Sequence, residues 1–217
     1  RGCVQPCVNL RPGACLEVEA LGRWQDETGA IISPAIFLPL LGRNELDRLF
    51  HLGLEQVLSR VREWDAEGLG VSLAINMPPT YLLNAEGPRW VGDTLKAYGM
   101  SPHRLTIELL ETQSIDPALQ SAVIQRFKAL GVRVAIDDLG PGYSSLLRLS
   151  SLPFDIIKID QGLLTHIRKT PLQALSMVKS VLDMGADFRD IVVAEGLEDA
   201  EVIEAIRHLG GNYGQGY

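Results

Sequence analysis

Two adjacent aspartates, Asp137 and Asp138, end an apolar run in which Val132, Val134 and Ile136 alternate with Arg133 and Ala135; Gly140, Pro141 and Gly142 follow. Neighbouring side chains on a strand point to opposite faces. At a strand's last residue, where the chain begins to turn, both carboxylates can instead aim into one mouth. Two carboxylates there repel unless a cation sits between them or one holds a proton. The pair is therefore a candidate metal or acid–base site at the C-terminal end of a strand. The same residues could also initiate a turn, the second aspartate bonding its own backbone.

Six more polar residues fall near the ends of other strand-like runs: Glu19, Asn76, Glu108, Lys158, Glu195 and Gln215. A single strand-end carboxylate is commonly a cap or a surface charge. Gathered at one rim, this many acids would be costly without cations. The set is oxygen-rich and contains no cysteine or histidine, which suits Mg²⁺ or Mn²⁺ and not zinc. Five carboxylates and an amide suffice for two ions that share one aspartate. Two ions about 3.5–4 Å apart clamp both oxygens of an in-line phosphoryl displacement. Lys158 is the one cation of the set. It could steady the nucleophile or the charge developing on phosphate, or hold the acids together as a salt bridge. Proton abstraction next to a carboxylate is the competing chemistry. It commonly uses one metal and a dedicated base, and the surplus of acids argues against it.

The elements that must carry these residues begin with a hairpin. Cys3–Asn9 and Cys15–Leu21 flank the turn signal Pro12-Gly13. Glu17 and Glu19 lie on one face of the second run, which either a barrel interior or a solvated face explains. Residues 23–39 read as an ordered loop. From residue 46 onward helices and strands alternate. Leu46–Trp64 is an amphipathic helix stopped near Gly68, and Val71–Asn76 is a strand. A helix through Trp90 and Tyr98 closes at Gly99, and Leu105–Leu109 is a strand. The next helix, capped by Ser114 or Asp116 with Pro117 in its first turn, runs to Gly131 and the aspartate strand. Phe154–Asp160 and Ile191–Glu195 are strands, Leu172–Met184 and Ala200–Leu209 are helices, and Asn212–Tyr217 holds a last strand. The class is α/β with a mainly parallel sheet. Eight strand candidates fit a closed barrel better than an open sheet, and the hairpin sets one strand antiparallel. One domain over residues 1–217 is expected.

Composition narrows the function. The chain has 217 residues, 46% hydrophobic and 22% charged, an ordinary balance for a globular domain. Its net charge of −7 disfavours a nucleic acid polymer or an acidic membrane as partner, since both need basic surface. No apolar run approaches the ~18 residues of a membrane span. Cys3, Cys7 and Cys15 are expected to be small buried thiols in a reducing compartment. The chain starts at Arg1 and reads as a piece of a longer one.

The motifs, in order, resemble the EAL domain, a bacterial phosphodiesterase module that opens cyclic di-GMP. They are Glu19-Ala20-Leu21 with Arg23-Trp24; Pro34, Phe37 and Pro39; Asn76; Glu108 and Glu111; Asp137-Asp138 with Gly140, Gly142, Tyr143, Ser144 and Ser145; Lys158-Ile159-Asp160; Ala194-Glu195-Gly196 with Glu198; and Gln215-Gly216-Tyr217. The resemblance implies a modified TIM (β/α)8-like barrel with one antiparallel strand near the N-terminus. It implies hydrolysis of cyclic di-GMP to linear pGpG by two-metal-assisted in-line attack of water. Glu19, Asn76, Glu108 and Asp137 would hold one Mg²⁺ or Mn²⁺, and Asp137, Asp138 and Glu195 the other. Lys158 and Glu195 would be catalytic. Gln5, Arg23, Asp160, Glu198 and Gln215 would contact substrate, and Glu111 would brace the loop after the aspartates.

The resemblance further implies a cytoplasmic domain, a homodimer, and sensory or GGDEF-type domains in the same full-length chain. The sequence departs from the family pattern at Gly22, Leu41-Gly42, Leu139 and Pro141, and it stops at Tyr217, before the family's closing segment. No metal ligand is lost. The alternative reading is a weak or inactive cyclic di-GMP receptor, and the Leu139/Pro141 loop is where the two readings part.

Overall fold

The computed structural model describes residues 2–11, 14–110, 116–139, 152–188 and 191–216. The hairpin forms as β1 (Gly2–Asn9) and β2 (Cys15–Gly22); its Pro12-Gly13 turn lies outside the described residues. The stretch read as a loop is built instead of a two-stranded ribbon, β3 (Trp24–Gln25) and β4 (Ile31–Ile32), and a short helix α1 (Pro34–Phe37). Asp26 closes the ribbon: its Oδ1 accepts from Thr28 N at 2.8 Å and Ala30 N at 2.9 Å. That is an Asx-type turn of the kind easily taken for plain loop.

The alternating part follows. Helix α2 (Arg43–Ala66) precedes β5 (Leu73–Met77), and α3 (Gly87–Tyr98) precedes β6 (Leu105–Leu110). Gly99 ends α3 at φ 72°, a left-handed cap that favours glycine. Helix α4 (Pro117–Ala129) leads to β7 (Arg133–Leu139). Of the two expected caps it is Asp116 that acts, Oδ1 accepting from Ala118 N and Leu119 N. Strand β8 (Ile156–Ile159), helices α5 (Gln161–Thr165) and α6 (Pro171–Phe188), β9 (Ile191–Ala194), α7 (Ala200–His208) and β10 (Tyr213–Gln215) complete the order.

Eight strands close a barrel in the order β1-β10-β9-β8-β7-β6-β5-β2. Strand β1 runs antiparallel to both neighbours and every other pairing in the barrel is parallel. The α/β barrel with one antiparallel strand is thus observed, and the odd strand is the first.

Alternation sorts the strands into two faces. Ile75, Ile107, Ile136, Ile157 and Val192 join Phe50, Leu54 and Leu58 of α2, Leu95 of α3, Phe127 of α4 and Val178 of α6 in one buried cluster outside the barrel. The period of 3–4 in α2 exists to fill that layer. Inside, Cys7, Ala135, Ile156 and Val193 form a small second cluster. Glu17 shares this level: its Oε2 accepts from Arg133 Nη2 at 2.9 Å and Thr106 Oγ1 at 2.7 Å. The face that Glu17 and Glu19 share is therefore the barrel interior. The cysteines need correction. Cys7 is buried, and its thiol is pushed up to about 12 by burial and then by Glu17, but Cys3 and Cys15 are exposed. Among the described residues no helix is long and apolar enough to cross a membrane.

The Glu17–Arg133 pair should matter to stability because Glu17 is nearly inaccessible and cannot be resolvated. Arg133→Met is expected to cost about 2–3 kcal/mol in urea unfolding. Removing both charges, Glu17→Leu with Arg133→Met, should recover most of it. A single variant as stable as the parent would show that the pair carries no such load.

Candidate active site

The C-terminal ends of the parallel strands and the N-terminal half of β1 form one mouth, and each barrel strand brings one polar residue to it. They are Gln5, Glu19, Asn76, Glu108, Asp137, Lys158, Glu195 and Gln215. Two residues deeper lie Cys7, Glu17, Ala74, Thr106, Ala135, Ile156, Val193 and Tyr213, so one period of the pleat separates the polar mouth from the filled floor.

Lys158 stands at the centre, 3% exposed. Its Nζ lies 2.7 Å from Glu108 Oε1, 2.7 Å from Glu195 Oε1, 3.3 Å from Glu19 Oε2 and 3.5 Å from Asp137 Oδ1. Two amides tie the rest: Asn76 Nδ2 donates to Glu19 Oε1 at 2.7 Å and Glu108 Oε2 at 3.0 Å, and Gln215 Nε2 donates to Glu19 Oε2 at 2.6 Å. With Nδ2 so engaged, Asn76 keeps its carbonyl oxygen available.

Asp138 reaches the same mouth by a backbone device. Its φ is 59°, the one positive φ outside glycine among the described residues. The register of β7 against β8 shifts between Ile136 and Leu139, a bulge at this point. The Asp138 N–H turns back onto Asp137 Oδ1 at 2.9 Å. Alternation would send the two carboxylates to opposite faces; the left-handed residue and the bulge keep them together. Oxygens of Asp137, Asp138 and Glu195 lie within 4.8 Å of one another. Gly196, at φ 67°, turns the chain after Glu195, and a Cβ there would lie 2.4 Å from that of Gln161.

Burial and repulsion act on these acids together. Burial, then the charge of Asp137, pushes Asp138 up to about 6. Burial lifts Glu195 to about 7 and raises Asp137 and Glu108, the latter well above the usual range, against the pull of Lys158. Burial also opposes ionisation of Glu19, but Lys158 and the Gln215 amide hold it below the ordinary value. Burial works against the Lys158 ammonium too, yet Glu108, Asp137, Glu19 and Glu195 hold its pKa above normal. Five carboxylates thus face one ammonium, and four of them hold a proton more tightly than an ordinary carboxyl does. Divalent cations fit this donor set: they can replace the protons, and every free donor is oxygen.

A cleft of about 320 Å³ opens above the charges, and Gln5, Glu19, Asp137, Asp138, Glu195 and Gln215 all line it. Asp160 and Glu198 line it as well, although Asp160 Oδ1 also caps α5 through Gly162 N at 2.8 Å. Arg23 follows β2 outside the cleft wall, its Nη1 donating to the Gly22 carbonyl at 3.0 Å. Leu21, Gln161, Gly196 and Gly216 line the cleft without having been singled out from the sequence as contact residues. Gln161, Gly196 and Gly216 each directly follow a site residue and Leu21 lies two past Glu19, and that nearness was the available signal. Leu139 is a buried end of β7. Glu111, Pro141 and the rest of the loop after Leu139 lie outside the described residues.

The EAL domain family profile matches residues 3–217. The chain belongs to the EAL-domain family. It is 30% identical over 214 residues to the probable cyclic di-GMP phosphodiesterase PdeB of Escherichia coli, covering 98% of this chain and 40% of that protein. It is 31% identical over 215 residues to a cyclic di-GMP phosphodiesterase of Pseudomonas aeruginosa, covering 98% of this chain and 36% of the relative. The EAL chain described here therefore spans less than half the length of either. Among solved structures it superimposes on the PaMucR phosphodiesterase in its c-di-GMP complex with a TM-score of 0.91 at 29% identity, covering 100% of this chain and 88% of that one.

The raised acids make a pH prediction for the chelator-treated EAL domain. A carboxyl whose folded pKa is raised favours the fold while protonated, so stability is lost as pH rises from the unfolded value, about 4, through the folded one. Glu108 and Glu195, raised furthest and least reached by solvent, dominate; Asp138 is screened by solvent. The thermal midpoint should fall by about 5 °C between pH 5 and pH 8, and millimolar Mg²⁺ at pH 8 should reverse the fall. A midpoint that rises over this range would contradict the charge surplus.

Proposed function

We propose that this domain hydrolyses cyclic di-GMP to linear pGpG. The observation that carries the reading is the set of mouth residues at the open end of an EAL barrel: four carboxylates within 4 Å of one ammonium, a fifth, Asp138, beside Asp137 and Glu195, and the Asn76 amide on Glu19. The similarity to cyclic di-GMP phosphodiesterases of Escherichia coli and Pseudomonas aeruginosa supports it.

In this reading Glu19, Asn76, Glu108 and Asp137 hold one divalent cation, and Asp137, Asp138 and Glu195 a second. Bound Mg²⁺ or Mn²⁺ supplies Lewis acidity and neutralises the acids and the substrate phosphate. The chain's own groups do the rest. Glu195, at the open end of β9 on the cleft, accepts the proton of the attacking water. The water oxygen bonds to phosphorus as the bond to the ribose 3′ oxygen breaks, and that oxygen leaves as a hydroxyl, taking up the proton that Glu195 accepted from the water. Lys158 donates hydrogen bonds to the water and to the charge that develops on phosphate. Lys158 itself is held between Glu108 and Glu195, so little reorganisation is needed. Gln5, Gln215, Asp160 and Glu198 hold the nucleotide from the cleft wall, with Arg23 joining from the end of β2.

Two outcomes follow. Turnover of cyclic di-GMP, followed by chromatography of products, should require Mg²⁺ or Mn²⁺ and disappear in excess EDTA. Ca²⁺, which prefers longer bonds, should support little. Undiminished turnover in EDTA would end the metal-dependent reading, and tight binding with no product would make the domain a receptor.

Asp137→Asn keeps the shape but removes the charge that the two cation sites share. It should lower kcat by about 100-fold or more, an effect of the size seen when one electrostatic partner is removed, while the exposed Glu63→Gln stays within about twofold. Near-parental kcat in Asp137→Asn would remove Asp137 from the site.

A further inference from the structure

We infer that Gln161 is a specificity-determining residue that reads a guanine base. This rests on cyclic di-GMP being the substrate. Gln161 opens α5 immediately after Asp160 and lines the cleft. Its Oε1 lies over Gly196, 3.1 Å from the position a Cβ would take there, and the backbone of Gly196 follows Glu195 directly. Among the described residues no hydrogen bond engages its side-chain amide, unlike the amides of Asn76 and Gln215, which are spent on the acids.

The neighbours decide what such an amide can recognise. Asp160 precedes it in the chain, and Glu198 lies two residues past Gly196 on the same cleft. Ionised carboxylates only accept hydrogen bonds, whereas a glutamine amide both donates and accepts. A wall of two acceptors beside one donor-bearing amide is complementary to an edge with two donors beside one acceptor. The guanine edge offers N1–H and N2–H to the carboxylates and O6 to the amide N–H. Adenine presents a bare N1 lone pair at the matching place, which a carboxylate repels. A site built to hydrogen-bond a group rejects the analogue that lacks it far better than a shape-only pocket does. Gly196 contributes by absence, because a side chain there would displace Gln161 from the cleft.

The test compares the parent domain with Gln161→Met and Gln161→Glu, both of similar length and both at an exposed position that folding does not need. KM and kcat are measured for cyclic di-GMP and cyclic di-AMP, with calorimetric titration of each dinucleotide alongside. Gln161→Met should raise KM and Kd for cyclic di-GMP about 5- to 10-fold, as loss of one hydrogen bond does, with kcat within about twofold. Gln161→Glu, which sets a carboxylate against O6, should raise KM and Kd further. The preference over cyclic di-AMP should shrink in both variants. Unchanged KM and Kd in a parent that does cleave cyclic di-GMP would overturn the role of Gln161 alone. A drop in kcat at constant KM would also overturn it, showing a positioning effect. A parent that neither binds nor cleaves cyclic di-GMP would overturn this inference together with the proposed function.

Discussion

The mouth of this EAL barrel depends on one constraint: a lysine and several carboxylates must share a space from which water is largely removed. Moving an ion out of water costs several kcal/mol even after the protein relaxes. Lys158 meets that cost by standing within 4 Å of four carboxylates. The acids have no equal return, since they outnumber it, and the excess appears as raised pKa values at Glu195 and Asp138. The site is thus organised before any cation arrives, and it is left with an affinity for positive charge that folding alone cannot satisfy.

The rest of the fold serves that arrangement. A closed ring of strands places one side chain from every strand at the same height, and only such a ring brings Glu19 of β2 to Lys158 of β8 across the barrel. The helices contribute by burying the outer faces of those strands, which fixes the pleat and so the direction of each mouth residue. Where the pleat alone would fail, at Asp138, the backbone takes a left-handed conformation that costs of order 1–3 kcal/mol. Aspartate tolerates this better than most residues. The strain falls where two carboxylates are needed side by side.

Much of this was legible beforehand, and what was missed has physical reasons. Strand-end acids announce themselves as charges set near the end of an apolar alternation, as at Glu19, Glu108 and Asp137. The reversed strand was visible from a turn signal between two apolar runs. Glu17 was ambiguous, since an acid on an alternating face looks the same whether it faces solvent or a half-buried arginine 116 residues away. The same holds for Arg133, whose neighbours Val132 and Val134 suggest a solvent-facing position. Residues 23–39 lack periodicity because their order comes from the Asp26 side chain, not from a repeating pattern. Gln161 and Arg23 show the general limit: adjacency to a motif does not tell which neighbour faces the cleft.

The floor beneath the mouth carries a consequence of its own. Cys7, Ala135, Ile156 and Val193 fill the next level, and Glu17 with Arg133 spans the level from β2 to β7. The barrel is a cup and not a pipe. Under the proposed function, water, ions, dinucleotide and the opened product would all use the same entrance, in sequence and in competition. Traffic through that entrance would then bear on the rate of cycling as well as bond breaking does.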